Sequence, residues 1–216
     1  MRFLSSLAFA AALFLPAAIH AQTSVPPNLA APFKDTSMLK PPPGSRVAVI
    51  EYQDLECPGC ARAYPMVHAA VAEAHIPLEE YDCQVPSHHW SHEAAIFAHY
   101  LRDKVSPALA AEYRRQLFAS QRSIATHDDL DHFTRTFMKA HNQPMPANMD
   151  PAGIYDREVK ASTAQALQLG VSETPTILVV TPDHWIQVKD PTQIDKAIQQ
   201  AEAKTPKAPT HPPTRR

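Results

Sequence analysis

Hydrophobic positions repeat in two ways along the chain, and the switch between them outlines its architecture. The first clear segment is Val47-Ala48-Val49-Ile50, a short β-branched run that reads as a buried strand. Apolar Ala63, Val67, Ala70, Val71 and Ala74 then fall near helical spacing, predicting a helix over about 58–74, bent at Pro65. Residues 77–82 read as a second short strand and 84–89 as a turn. From about 89 to 169 the pattern is helical throughout. Ala94, Phe97, Ala98, Leu101 and Val105 mark one helix, and Ser106-Pro107 caps the next, which carries Leu109, Tyr113 and Leu117. Thr126 and Asp129 form a capping-box pattern ahead of Leu130, Phe133 and Phe137. Asp150-Pro151 is expected to open a longer helix through Ile154, Val159, Ala166 and Leu167, closed by Gly170. Strand character returns at 176–181 and, after a turn at 182–184, at Trp185-Ile186-Gln187-Val188. Asp190-Pro191 caps a last helix with Ile194, Ala197, Ile198 and Ala201. Without the four central helices, a βαβ unit and a ββα unit remain, so the fold class is α/β with a four-helix insertion.

The ends differ in character. Met1-Arg2, an apolar stretch over 7–19 and Ala21 describe a secretory signal peptide cut after Ala21; a retained anchor is the alternative reading. Residues 22–45 hold six prolines and 205–216 four, and both segments read as extended tails. The packed domain is therefore expected over 46–203, its helical insertion over about 89–169, and a Pro-rich tail from 204. Removing the signal peptide takes away Arg2, moving the formal net charge from −2 to −3. With no basic block before Arg215-Arg216, nucleic acid is excluded as the expected partner. No later segment is long and apolar enough to span a bilayer, so stable membrane insertion after cleavage is not expected. Export would place the three cysteines in an oxidising compartment, where disulfides persist.

Two of those cysteines form Cys57-Pro58-Gly59-Cys60, where the first strand hands over to the first helix. Backbone N–H groups at a helix start are unpaired and the helix dipole is positive there, so a thiolate at Cys57 is favoured over a thiol. Pro58 suits the first helical position, and Cys60 lies one turn on, within reach of a disulfide. The pattern points to redox chemistry ahead of zinc or a plain structural disulfide, because no second CxxC follows. A soft-metal reading remains open, with Met66 or His68 joining the cysteines around Cu(I). Cys83, the odd thiol, reads as a small buried hydrophobe. His88 and His92 stand at a ligand spacing but have no fixed acid or cysteine nearby, so solvated helix-start histidines are the expectation and no metal site is assigned. Glu51 is either an edge-strand surface residue or a buried acid that moves a proton near Cys60. No G-x-S-x-G, P-loop or GxGxxG occurs, which removes hydrolase and nucleotide readings.

The segment Tyr52-Gln53-Asp54-Leu55-Glu56-Cys57-Pro58-Gly59-Cys60, the helix end Leu169-Gly170-Val171 and the pair Thr174-Pro175 together resemble the thioredoxin fold. The helical insertion, with Tyr81-Asp82, His88-His89-Trp90 and Glu93-Ala94-Ala95 at its entry, makes the chain resemble the DsbA-like thiol:disulfide oxidoreductases, over about 46–203. The resemblance implies Cys57 as nucleophile, Cys60 as resolving cysteine and Glu51 as a buried acid beneath them. It also implies Pro175 as a cis proline beside the CxxC, and substrate contacts from Pro58, Gly59, Thr174 and Pro175. The expected activity is disulfide exchange between Cys57–Cys60 and cysteine-containing envelope or secreted proteins, by a monomer without a dissociable cofactor, with a redox partner resetting the pair. An envelope reductase or isomerase is the alternative within the same chemistry. Two departures from the family pattern point to a moderate oxidant. Gly59 stands where strongly oxidising members carry His, and Glu173 puts a carboxylate where Gly is frequent and is expected to raise the Cys57 pKa.

Overall fold

The run at Val47 is the beginning of a longer strand than its apolar residues suggest. In the computed structural model, which describes residues 33–34 and 36–205, strand β1 covers Ala48–Gln53 and every residue in it is buried. The signal peptide, its cut after Ala21, residues 22–32 and the tail from 206 lie outside the described residues. β1 extends through Glu51, Tyr52 and Gln53 because it is flanked on both sides. Strand β2 (Leu78–Asp82) pairs with it in parallel and β3 (Thr176–Val180) antiparallel, while β4 (Trp185–Val188) completes the hairpin. The sheet order is β2-β1-β3-β4. Val49 to Tyr52 pair on both sides, so their backbone is satisfied within the sheet and polar side chains are carried into the interior with it.

One sheet face packs on helix α1 (Pro58–Ala74) and the last helix, α6 (Ile194–Lys204). Val47, Val49, Val67, Val71, Ile177, Val179, Ile194 and Ile198 form that layer. α1 runs as one helix with Pro65 inside it. The other face meets Phe33, Leu39 and helix α5 (Ile154–Leu169), with Ile50, Tyr52, Leu178, Val180 and Leu169 in contact. The remaining helices, α2 (Ser91–Lys104), α3 (Pro107–Ser120) and α4 (His127–Ala140), enclose a separate core of Phe97, Leu101, Tyr113, Leu117, Phe137 and Met138. Each of these side chains contributes about 1.5–3 kcal/mol by leaving water, and the buried Tyr113 hydroxyl is satisfied by Thr134 at 3.1 Å. That core continues onto Leu55, Cys57, Cys60 and Trp90, so the insertion forms one wall of the CxxC region.

The helix expected to open at Asp150-Pro151 begins at Ile154. Asp150 still caps it from outside, its carboxylate accepting from the Ile154 and Asp156 N–H groups at 2.7 and 2.8 Å. Ile154 and Leu167 are exposed, at 48% and 59%, and Val159, Ala166 and Leu169 carry the packing instead. Gly170 takes the left-handed conformation at φ 101°, letting the Val171 N–H reach back to the Ala166 carbonyl at 2.9 Å. At the far end, Asp190-Pro191 starts a single 3-10 turn, and α6 follows from Ile194. Among the described residues, no helix is long and apolar enough to cross a membrane.

Candidate active site

The chain leaves β1 through Asp54, a fully buried carboxylate. One of its oxygens accepts from the Glu56 N–H at 2.8 Å; the other accepts from the Val85 N–H at 2.8 Å and the Ser91 hydroxyl at 3.1 Å. His88 Nδ1 lies 2.9 Å from the first of these oxygens. Glu56 in turn accepts from the Trp90 and Ser91 N–H groups at 2.7 and 3.2 Å, filling the unpaired donors at the start of α2. From the end of α3, the Gln121 amide donates to the carbonyls of Leu55 and Cys57 at 2.9 and 3.1 Å. The loop before Cys57 is thus held from three directions by the insertion. Asp54, Glu56 and Gln121 carried no assigned role in the sequence reading, since their partners lie 31 or more residues away apart from the Asp54–Glu56 contact. His88, expected in solvent, is only 19% exposed at its side chain and belongs to this clamp, while His92 pairs with Asp156 at 2.9 Å. The two histidines face separate partners.

Cys57 is the N-cap of α1, with extended backbone, and Pro58 follows at the first helical position. The Cys60 N–H donates to Cys57 Sγ at 3.4 Å, and the Cys57 thiol can donate to the Thr174 carbonyl at 3.2 Å. That carbonyl favours the thiol, but the opposing set is stronger. A hydrogen bond from the Cys60 side chain leads it, joined by the Thr174 side chain and the N–H groups of Cys60 and Gly59. Against the effect of burial, they bring the Cys57 pKa down from 9.0 to about 5. Cys60, with no exposed surface, moves the other way: burial, and then the neighbouring Cys57, push its thiol far up. Both cysteines are free thiols, so this is the reduced form. Geometry makes the pair unequal, with Cys57 at the helix start keeping a sliver of exposed surface, 7%, and Cys60 behind it with none.

The Thr174–Pro175 peptide is cis and sits directly against the motif. A Cβ placed on Gly59 would stand 3.0 Å from Pro175 Cδ, and 3.4 Å from both Cys57 Sγ and the Thr174 carbonyl. Glu173 is exposed, pairs with Lys189 at 2.9 Å and lines a groove with Gly59 and Pro175; the largest influences on Cys57 come from other groups. Two open grooves flank the site. One, of about 440 Å³, is lined by Gly59, Arg62, Met66, Thr174, Pro175 and Lys189. The other, of about 550 Å³, lies between Pro58, Arg62, Trp90, Phe118 and Arg122 on the insertion side.

Glu51 is an interior residue of a central strand, fully buried, and neither carboxylate oxygen has a hydrogen-bond partner. Burial, and then Glu80, raise its pKa from 4.5 to about 8, with a further push from Cys57 and a counter-pull from Arg114. Cys83 is buried in the layer on the opposite sheet face, its thiol pushed up to about 11 by burial, Asp54 and Asp82. Of the residues considered for Cu(I), Met66 lines the first groove, whereas the His68 ring lies tilted against Tyr64 with centroids 3.8 Å apart and its Nε2 is 3.5 Å from Glu80. Among the described residues, no group of three or more His, Cys, Asp or Glu side chains is placed to hold a metal ion.

Comparison with known proteins adds a family to this geometry. A thioredoxin family profile matches residues 36–200. The chain belongs to the thioredoxin family. Among curated proteins, no sequence match is found. Among solved structures, this thioredoxin-family chain is similar to the thiol-disulfide exchange protein α-DsbA2 of Wolbachia pipientis. The identity is 14% and the TM-score 0.58, over 76% of this chain and 86% of that one. It is also similar to oxidised BdbD of Bacillus subtilis, at 16% identity and TM-score 0.60, over 75% and 90%. A periplasmic thioredoxin-like protein of Salmonella enterica serovar Typhimurium matches at 16% identity and TM-score 0.55, over 72% and 83%. The fold is therefore thioredoxin-like with a DsbA-type helical insertion, as the motif and element order implied.

Proposed function

We propose that the protein is an exported thiol–disulfide oxidoreductase that exchanges the Cys57–Cys60 disulfide with cysteines of envelope or secreted proteins, as a moderate oxidant. The observation that carries this reading is the inequality of the two cysteines: Cys57 caps a helix start, where hydrogen bonds bring its pKa down to about 5, while Cys60 has no exposed surface and burial pushes its thiol up. In the oxidised protein, a substrate thiolate attacks Cys57 Sγ, because Cys60 has no exposed surface. The S–S bond breaks and the electron pair goes to Cys60, which takes a proton supplied by Glu51. A second substrate thiolate then attacks the first substrate sulfur and displaces Cys57, which leaves readily as a stabilised thiolate. The substrate gains a disulfide, the protein gains two electrons, and the two sulfurs carry them without a dissociable cofactor.

Pro58, Gly59, Thr174 and Pro175 form the contact surface for the substrate chain, which lies in the two grooves beside Cys57. The moderate poise follows from what surrounds the thiolate. Its stabilisation comes from neutral hydrogen-bond donors, with no imidazolium at position 59. Residues 1–21 act as the export signal, a placement in keeping with the periplasmic Salmonella relative. A redox partner resets the pair, and the protein works as a monomer. Turbidity of insulin under dithiothreitol tests the reading, with loss of all activity expected in Cys57→Ser. Copper titration of the reduced protein separates it from a soft-metal carrier. An inactive wild type that binds Cu(I) stoichiometrically would replace this proposal with the second.

A further inference from the structure

Glu51 has a second carboxylate beside it in the sheet. β1 and β2 run parallel with Glu51 opposite Glu80. Directly paired residues in a parallel ladder point to the same face, here the face covered by α1, with Arg114 of α3 reaching its β2 edge. The two groups differ in access. Glu51 is fully buried and without a hydrogen-bond partner, whereas the Glu80 side chain is 23% exposed. Glu80 accepts from the Gln53 amide at 2.9 Å and lies 3.5 Å from His68 Nε2. It also lines a cavity of about 510 Å³ shared with Asp82, His99, Arg114 and Glu158. Glu80 is thus the partly exposed neighbour of a fully buried carboxyl.

Resting on the oxidoreductase reading, we propose that Glu51 and Glu80 form a carboxyl pair that holds one proton for Cys60. Glu80 is the positioning residue that keeps the proton on Glu51 and connects it to solvent. Two carboxylates side by side in the sheet, one of them fully buried, cannot both ionise cheaply, so one member keeps its proton. The surroundings assign which one. Around Glu80, burial raises the pKa, but His68, Arg114 and Gln53 more than reverse it and leave Glu80 ionised. Glu51 has no such donors. The other groups on this face are Cys57, Cys60 and Tyr64 from α1, Asp82 from β2 and Arg114 from α3, while β3 offers only Ile177 opposite Glu51. Arg114 is forked onto Asp82 at 2.9 and 3.1 Å, and its pull on Glu51 is smaller than the push from Glu80. When Cys60 is displaced as a thiolate, the Glu51 proton moves to its sulfur. The doubly ionised pair then recovers a proton from solvent through Glu80. In the reverse direction the pair first loses its proton to solvent, Glu51 then takes the Cys60 proton as that sulfur attacks Cys57, and the sulfur of the departing substrate takes one from water.

The test uses the full protein carrying a glutathione mixed disulfide at Cys57, made in excess oxidised glutathione, and follows its resolution by Cys60 against pH. Resolution should rise through a midpoint near the Glu51 value of about 8. Glu80→Gln should lower that midpoint by about one unit, and Glu80→Asp should restore it. The alkylation midpoint of Cys57 should stay in place in both variants. A wild-type resolution midpoint in Glu80→Gln would overturn the pair. A second measurement needs no variant at position 80: ¹³C NMR titration of the glutamate carboxyls, with Glu51 assigned by Glu51→Gln. Each of the two resonances should show both titration steps, and two independent single steps would overturn the coupling. A wild type that forms no adduct would instead sink the oxidoreductase reading, and with it the relay, while the NMR titration would still read the pair.

Discussion

Replacing Glu51 by Gln should change how stability depends on pH, in a direction opposite to that of an ordinary carboxylate. Glu51 is raised from 4.5 to about 8, so between those values the folded protein holds a proton that the unfolded chain has released. Stability therefore falls as pH rises across that window, by about 1.4 kcal/mol per unit. At pH 7 the accumulated cost is about 3 kcal/mol. Cys57 works the other way in the reduced protein. Its pKa is lowered from 9.0 to about 5, so between those values the unfolded chain holds the extra proton, and stability rises with pH at the same rate. The two slopes oppose each other, and the reduced wild type should be nearly flat in these terms between pH 5 and 8. Glu51→Gln, whose amide resembles the protonated carboxyl in size and polarity, should expose the rising Cys57 slope. Its gain over wild type should be near zero at pH 4.5 and about 3 kcal/mol at pH 7, or roughly 6–12 °C in Tm. Cys57→Ser should show the falling slope instead. Urea unfolding of the three proteins in reductant, at half-unit pH steps, reads all of this. Three parallel curves between pH 5 and 8 would refute the reasoning, because they would mean that neither group changes its proton affinity on folding.

Three further outcomes follow from the site. Iodoacetamide should label Cys57 with a midpoint near pH 5 and leave Cys60 unmodified in the folded protein; mass mapping of the label checks both. Gly59→His should raise the reduction potential by roughly 30–60 mV through one charge-assisted hydrogen bond. Gly59→Ala, which meets the same crowding against Pro175 without a donor, should leave the potential within about 10 mV; equilibration with glutathione buffers measures both. Asp54→Ala strips buried acceptors from the Glu56, Val85 and Ser91 donors and should destabilise the fold by about 2–4 kcal/mol. Asp54→Asn, keeping one acceptor oxygen, should cost less by urea unfolding.

The CxxC and its setting were legible because the information is local. A β-branched run, a proline at the first helical position and apolar residues at helical spacing place Cys57 at a helix start without reference to the rest of the chain. The four inserted helices were legible for the same reason: the Ser106 cap, the Thr126–Asp129 box and the Gly170 stop are short-range hydrogen-bond signals. What the tertiary structure decided depends on residues far apart in sequence. Glu51 and Gln53 look like the polar end of a strand, and they are interior only because β2 and β3 pair on both sides of β1. The same register sets Glu80 beside Glu51, a juxtaposition no spacing along the chain encodes. Asp54, Glu56, His88 and Gln121 look like surface residues until the insertion folds back over the motif and gives each a buried partner. Leu167 shows the converse: its spacing is right for a core position, but α5 presents Ala166 and Leu169 to the sheet and leaves it in solvent. Local pattern fixes which helix or strand forms, while the angle at which that element meets its neighbours decides which of its side chains lose water.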